Sequence, residues 1–223
     1  MLENLRLPDS YDGMIFLHEA AKNPPILHPH RHLELECNLV VQGEITYVVG
    51  SKRFTFKEKA LLWLFPDQVH QLVDRSPDAV VFVLVFTPDL IARACRGDRY
   101  RVLGKPGNLM DGEAILSTEV EEDSFRHLCE TMHSLLPGEV DSFKLNQELG
   151  FGLSDGFSYH HEDPDWLNAG LRQLLLRCWR EQDNHTTAPG ETSLHPAVSR
   201  ALVLLQESGG EIPSALLSKQ CGV

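Results

Sequence analysis

The stretch HRHLELECNLVVQG, from His30 to Gly43, constrains the fold of this chain more than any other. In a β-strand successive side chains leave opposite faces. His30, His32 and Glu36 differ by even steps, so a strand through them carries all three on one face. A rise of about 3.3 Å per residue sets the two histidines about 6.6 Å apart, close enough for both rings to lean onto one ion. Two imidazole nitrogens and a carboxylate oxygen suit Zn, Ni, Fe or Mn. A further imidazole from another strand would close the set, and His70 is the candidate. The plainer alternative is that these side chains bond to one another, to water or to a small molecule. Glu34 shares the polar face and is a candidate ligand-binding residue. The opposite face, Arg31, Leu33, Leu35, Cys37, Leu39 and Val41, is nearly all apolar and predicts a second layer packed against it.

Residues 1–88 read as β-structure. In GEITYVVGSKRFTF the alternation through Ile45, Tyr47 and Val49, the Gly50-Ser51-Lys52 turn and the alternation through Phe54 and Phe56 predict a hairpin. ALLWLF is a short buried strand ended by Pro66-Asp67, and Ala79–Phe86 is an apolar run suited to burial on both faces. Residues 89–185 read mostly as helix, beginning at Thr87-Pro88-Asp89. Phe125, Leu128, Met132 and Leu135 recur at helical spacing within Glu119–Leu136. Trp166, Leu167, Leu171, Leu174, Leu175, Cys178 and Trp179 form a wide stripe within Asp163–Gln182, which is core or a dimer interface. The stretch between these two helices is read as a loop. Glu119, Glu121, Glu122 and Asp123 suit a solvated helix start, where negative charge complements the macrodipole. His160 and His161 are adjacent and read as an exposed loop pair. His28 shares the parity of His30, but Pro29 between them delays the strand, leaving His28 a pocket candidate only. Residues 186–193 read as a linker. Residues 194–223 begin a new unit: a helix from Pro196, a stop at Gly209-Gly210, and a second helix from Ser214 to Lys219 before a turn at Cys221.

Composition narrows the function. No apolar run approaches the roughly 20 residues of a membrane span, and the N-terminus shows no secretory pattern. Cys37, Cys95, Cys129, Cys178 and Cys221 lack CxxC spacing and read as reduced thiols of a cytoplasmic protein. A formal net charge of −12 argues against phosphate-backbone binding by this stretch itself. No GxSxG, Walker or dinucleotide motif is present.

HRHLELECNLVVQG resembles the first signature of the cupin superfamily at each of its fixed positions. Leu64–Leu72, LFPDQVHQL, resembles a weaker form of the second. Phe65 stands there for the usual Pro and Asp67 for the usual Gly, a terminal Asn is missing, and His70 falls where the third metal-binding His is expected. The resemblance spans residues 24–86 and implies an α+β chain built on a cupin-like jelly-roll β-barrel with a pocket in its mouth. Tyr47, Trp63 and Phe65, with Glu34, are expected to line that pocket. HPAVSRALVLLQES and IPSALLSKQCGV resemble the opening of the DNA-binding domain of the AraC regulator family, its helix-turn-helix cut before the recognition helix. Barrel, helices and then this domain is that family's order. The acidity then belongs to the sensing part, because DNA contact comes mainly from the recognition helix and the basic residues around it.

The resemblance implies an effector-sensing, dimerising part of an AraC-type transcription regulator rather than an enzyme. A small molecule, such as a sugar, would bind in the barrel. His30, His32, Glu36 and His70 would either hold one divalent metal that touches it or bond to it directly. DNA would be met only through the region missing after Val223, and the partner would be a second copy. The alternative is a metal-dependent cupin dioxygenase or isomerase.

Overall fold

The structure is a computed structural model that describes residues 2, 5, 7–23, 28–105, 115–137, 159–184, 190–193, 196–208 and 212–221. Residues 138–158 of the expected loop, the Gly209-Gly210 stop and residues 186–189 of the expected linker lie outside these.

The strands are β1 (Gly13–Glu19), β2 (Leu35–Gln42), β3 (Glu44–Val49), β4 (Lys52–Lys57), β5 (Ala60–Leu64), β6 (His70–Arg75), β7 (Val80–Phe86), β8 (Leu116–Glu119) and β9 (Gly190–Ser193). They form two antiparallel sheets, ordered β1-β7-β2-β5-β8 and β6-β3-β4-β9. Among the described residues the strands do not close into a ring, so the expected barrel is an open two-sheet sandwich. The two sheets meet at one end, where His30 and His70 exchange backbone hydrogen bonds of 3.0 and 2.9 Å. Gly43 carries the chain from β2 into β3 at φ 76°; a Cβ there would lie 2.9 Å from the Ala79 Cα, so the motif's glycine is a steric requirement.

Register decides what each face of β2 meets. Leu35, Cys37 and Leu39 join Leu61, Trp63, Leu84 and Phe86 in one core. That core is completed by Leu167, Leu171, Leu174, Leu175 and Cys178 of a helix spanning Pro164–Asn184. On the other face Val40, Leu62, Leu64 and Val81 pack against Ile45, Tyr47, Val49, Phe54 and Phe56 of the second sheet. The first sheet is thus the middle of three layers, which explains the unbroken apolar run of β7. Burying each such leucine is worth about 1.5–3 kcal/mol.

The helices are α1 (Pro88–Ala94), α2 (Glu122–His133), α3 (Pro164–Asn184), α4 (Pro196–Glu207) and α5 (Ser214–Cys221), with a 3-10 helix at Asp98–Gly104. The expected start of α1 is in place: Thr87 Oγ1 accepts from the Leu90 N–H at 3.2 Å. Glu119 ends β8, and α2 begins later, with Glu122 and Asp123 in its first turn. Gly170 lets α3 approach the end of α2, since a Cβ there would lie 2.4 Å from the Leu135 Cδ1. Trp166 does not belong to the buried stripe: it is 55% exposed, and its indole N–H donates to the Ser134 carbonyl at 3.3 Å.

Two expected boundaries shift. Strand structure is not confined to residues 1–88, because β8 completes the first sheet from within the expected helical region. Gly190–Ser193, expected in the linker, is β9, paired in register with β4 from Lys52↔Ser193 to Thr55↔Gly190. Strand β4 offers an unpaired edge, and main-chain bonding takes up even the weakly patterned sequence GETS. Helix α5 runs through Cys221, where a turn was expected. All five cysteines are free. No described helix is long and apolar enough to cross a membrane.

Candidate metal and ligand site

His30, His32, Glu36 and His70 meet at the end of the sandwich where the sheets join. The expected even-step strand is not what gathers them. Strand β2 starts at Leu35, and the bent segment before it turns His32 inward, leaving Leu33 54% exposed. His70 arrives through a turn in which Asp67 has φ 62°, the left-handed conformation that Asp tolerates better than most residues. The Asp67 N–H donates to the His32 carbonyl at 2.9 Å, and the Gln68 side chain accepts from the Phe65 N–H at 3.0 Å. Asp therefore fills the role of the glycine usual in the second motif.

The ring centroids of His30 and His70 are 4.3 Å apart, and those of His32 and His70 are 5.3 Å apart. Ligand atoms of the three imidazoles all lie within 4.8 Å of one another. Each Nδ1 faces a backbone carbonyl: His28 at 3.4 Å, Glu34 at 3.0 Å and Gln68 at 2.8 Å, for His30, His32 and His70 in turn. A carbonyl only accepts, so each Nδ1 carries the hydrogen, and in a neutral ring the Nε2 then presents a lone pair; His32 faces an acceptor at both nitrogens. Glu36 Oε2 lies 3.1 Å from His32 Nε2 and 3.7 Å from His70 Nε2. A lone pair facing a carboxylate at 3.1 Å is repulsive unless a proton or a cation is shared between them.

Burial pushes the His70 imidazole down to about 3 and His30 to about 4, each reinforced by a neighbouring imidazole and opposed by Glu36. Burial alone would raise the Glu36 carboxyl. Hydrogen bonds from His32 and Asn38 and the field of the imidazoles overcome it and hold the group at about 2. At neutral pH His30 and His70 are neutral and Glu36 is ionised, the protonation state metal ligands need. His70 Nε2 is also buried with no hydrogen-bond partner. Fixed Nδ1 hydrogens, lone pairs turned together, an ionised carboxylate and an orphaned buried nitrogen fit a divalent cation.

The other expected ligand residues divide. Tyr47 is at the site: its ring centroid lies 6.2 Å from that of His70, and its Oη accepts from Asn38 Nδ2 at 2.9 Å. Burial, with Glu36 nearby, pushes its phenol well above the usual range, so it is neutral. Glu34 stands at the rim, its carboxylate 3.7 Å from His32 Nδ1, and it also lines a cleft of about 720 Å3 beside Tyr11 and Arg93. Trp63 and Phe65 are not part of the site. Trp63 pairs with Cys37, so it shares the helix-facing side and packs edge-on against Trp179 at 5.5 Å; Phe65 lies in the same core. Leu64, opposite Glu36, is the β5 residue on the site's face of the sheet. His28 is exposed and contributes its carbonyl. His160 is exposed as expected, but His161 is buried, its Nδ1 accepting from the Asp163 N–H at 3.0 Å beside the start of α3.

Sequence reasoning missed Asn38, which is 0% exposed and donates to Glu36 Oε1 at 2.7 Å. It was findable, as the polar side chain that shares Glu36's parity in an apolar strand.

The sequence model of the AraC-like ligand binding domain matches residues 13–150. The chain belongs to this family. It is the effector-sensing unit of an AraC-type transcription regulator, and the two-sheet sandwich with its buried polar end is its ligand-binding fold. Solved structures similar to it include apo ToxT K231A from Vibrio cholerae strain SCE256, at 10% identity over 95% of this chain and 71% of that one, with a TM-score of 0.46. The AraC-like transcriptional activator CuxR matches at 10% identity over 98% and 75%, with a TM-score of 0.42. Wild-type ToxT from the same V. cholerae strain with an unsaturated fatty acid bound matches at 9% identity over 95% and 69%, also at 0.42. No curated protein matches the chain.

Proposed function

We propose that this AraC-type sensing domain holds one divalent ion at His30, His32, Glu36 and His70 and binds its small-molecule effector there. The observation that carries this reading is the convergence of three imidazoles, each tied at Nδ1 to a carbonyl, on one ionised carboxylate. A bound ion would supply Lewis acidity and open positions for the oxygens of an effector such as a sugar. The chain's residues orient the donors, exclude water from Glu36 and keep Tyr47 neutral beside it. The same donor set would serve a metal-dependent dioxygenase or isomerase, but the family is one of regulators.

The topology supports a route from site to output. His70 opens β6, and β6 belongs to the same sheet as β9, which leads into α4 and α5. These two helices pack on each other and resemble the opening of a DNA-binding domain, so tilting of this sheet by the effector would move them. A coupling of about 1–3 kcal/mol is enough for a useful response. Cytoplasmic location, a homodimer and DNA contact through further helices complete the reading.

Elemental analysis before and after chelation tests it, with His30→Ala and His70→Ala as controls. About one equivalent of Zn, Ni, Fe or Mn, lost from both variants, is the expected result. Metal-free protein that still takes up none on reconstitution would sink the metal reading and leave the same side chains as a purely organic pocket.

A further inference from the structure

We propose that Asn38 is a positioning residue of the metal site: its amide holds Glu36 so that Oε2 faces the imidazoles. The inference rests on the metal reading above. Asn38 lies in the middle of β2 between Cys37 and Leu39, both 0% exposed, and is itself 0% exposed. Nothing in the packing asks for a polar group there. The next residue on the same face is Val40, in the apolar core between the sheets.

The amide hydrogens are both spent. One goes to Glu36 Oε1 at 2.7 Å and the other to Tyr47 Oη at 2.9 Å. Its Oδ1 is buried with no hydrogen-bond partner. The amide cannot turn over to relieve that oxygen, because Oδ1 would then face the Glu36 carboxylate. An orphaned buried acceptor is a cost that native cores seldom carry without a reason. Here the reason is the donor side. Glu36 has two oxygens, and Asn38 occupies Oε1, so the oxygen left for the imidazoles is Oε2, at 3.1 Å from His32 and 3.7 Å from His70. Tyr47 steadies the amide from the second sheet. The line Tyr47–Asn38–Glu36 thereby ties the site to both sheets, and partners of this kind set both the orientation and the basicity of a metal ligand.

Cobalt(II) titration of the full chain tests the proposal, with affinity read by competition against a chelator and geometry read from the visible absorption of the bound ion. Asn38→Leu should weaken Co(II) binding by about 10–100-fold and change the absorption band, because Glu36 is free to turn. Asn38→Asp, which keeps the shape but sets a second carboxyl against Glu36, should weaken it too and serves if the leucine variant does not fold. Tyr47→Phe should give a smaller loss in the same direction. Thr46→Val is the control: Thr46 is also buried, but bonds to Thr55 at 3.1 Å away from the site, and its loss should leave affinity and spectrum unchanged. Wild-type affinity and spectrum in folded Asn38→Leu or Asn38→Asp would overturn the role of Asn38 while leaving the metal site standing. A wild-type chain that takes up no Co(II) would overturn the metal reading, and this inference with it.

Discussion

The two faces of the first sheet follow opposite rules. On the helix side Trp63, Leu84, Phe86, Leu171 and Leu174 are almost fully buried and apolar, and the rings of Trp63 and Trp179 meet edge to face. On the sandwich side, at one end, equally buried positions hold His32, Glu36, Asn38 and His70, and two of their polar atoms lack partners. Removing water from polar groups costs free energy, whereas removing it from leucines contributes. The helix face therefore holds the domain together. The polar end subtracts from stability, a cost that the proposed ligand site would account for.

Truncation should separate the two most sharply. Leu171→Ala, in the dry core, should lower unfolding free energy by about 2–5 kcal/mol in a denaturant titration, with metal affinity of the folded protein unchanged. His70→Ala should do the reverse. It should cut metal affinity by about 100-fold or more, about 2.7 kcal/mol, while metal-free stability holds or rises, since a buried unpartnered nitrogen is removed. A large stability loss in metal-free His70→Ala would break the contrast.

Acid should act first through the polar end. His30 and His70 titrate near 4 and 3 when folded, below the ordinary value of 6.5. As pH falls below 6.5 the unfolded chain takes up protons that the folded chain refuses, so stability is full above that pH and lost below it. Between pH 6.5 and 5.5 the two imidazoles together should cost the metal-free protein about 2 kcal/mol. Glu36, lowered from 4.5 to about 2, extends the loss below pH 4.5. Urea titrations across this range check the slope, which His70→Ala should flatten. The smallest effect belongs to Trp166→Ala. Although Trp166 sits in the same helix as Leu171, its exposure limits the change to about 0.5 kcal/mol.

Much of this was legible in the chain. The β3–β4 hairpin, the two-faced β2, the doubly buried β7 and the cap of α1 are written in local alternation and turn residues, which depend on near neighbours. So is the candidate donor set, since His30, His32, Glu36 and His70 lie in motif-like segments. Other features depended on partners distant in sequence. Trp63 follows the helix side because it pairs with Cys37, and a one-residue error in register reverses every side chain. β9 exists because β4 had an open edge, not because GETS favours a strand. His161 is buried because Tyr11, 150 residues away, bonds its backbone N–H.

The sequence by itself determined which chemical groups this domain can offer and most of the elements that carry them, because periodicity and turn chemistry act within a few residues. Only the tertiary structure decided that β6 would bring His70 to within 3.7 Å of Glu36, and that Asn38, rather than Trp63, would stand beside it. Strand pairing and sheet packing set those distances, and both are properties of residues that meet only when the chain is folded.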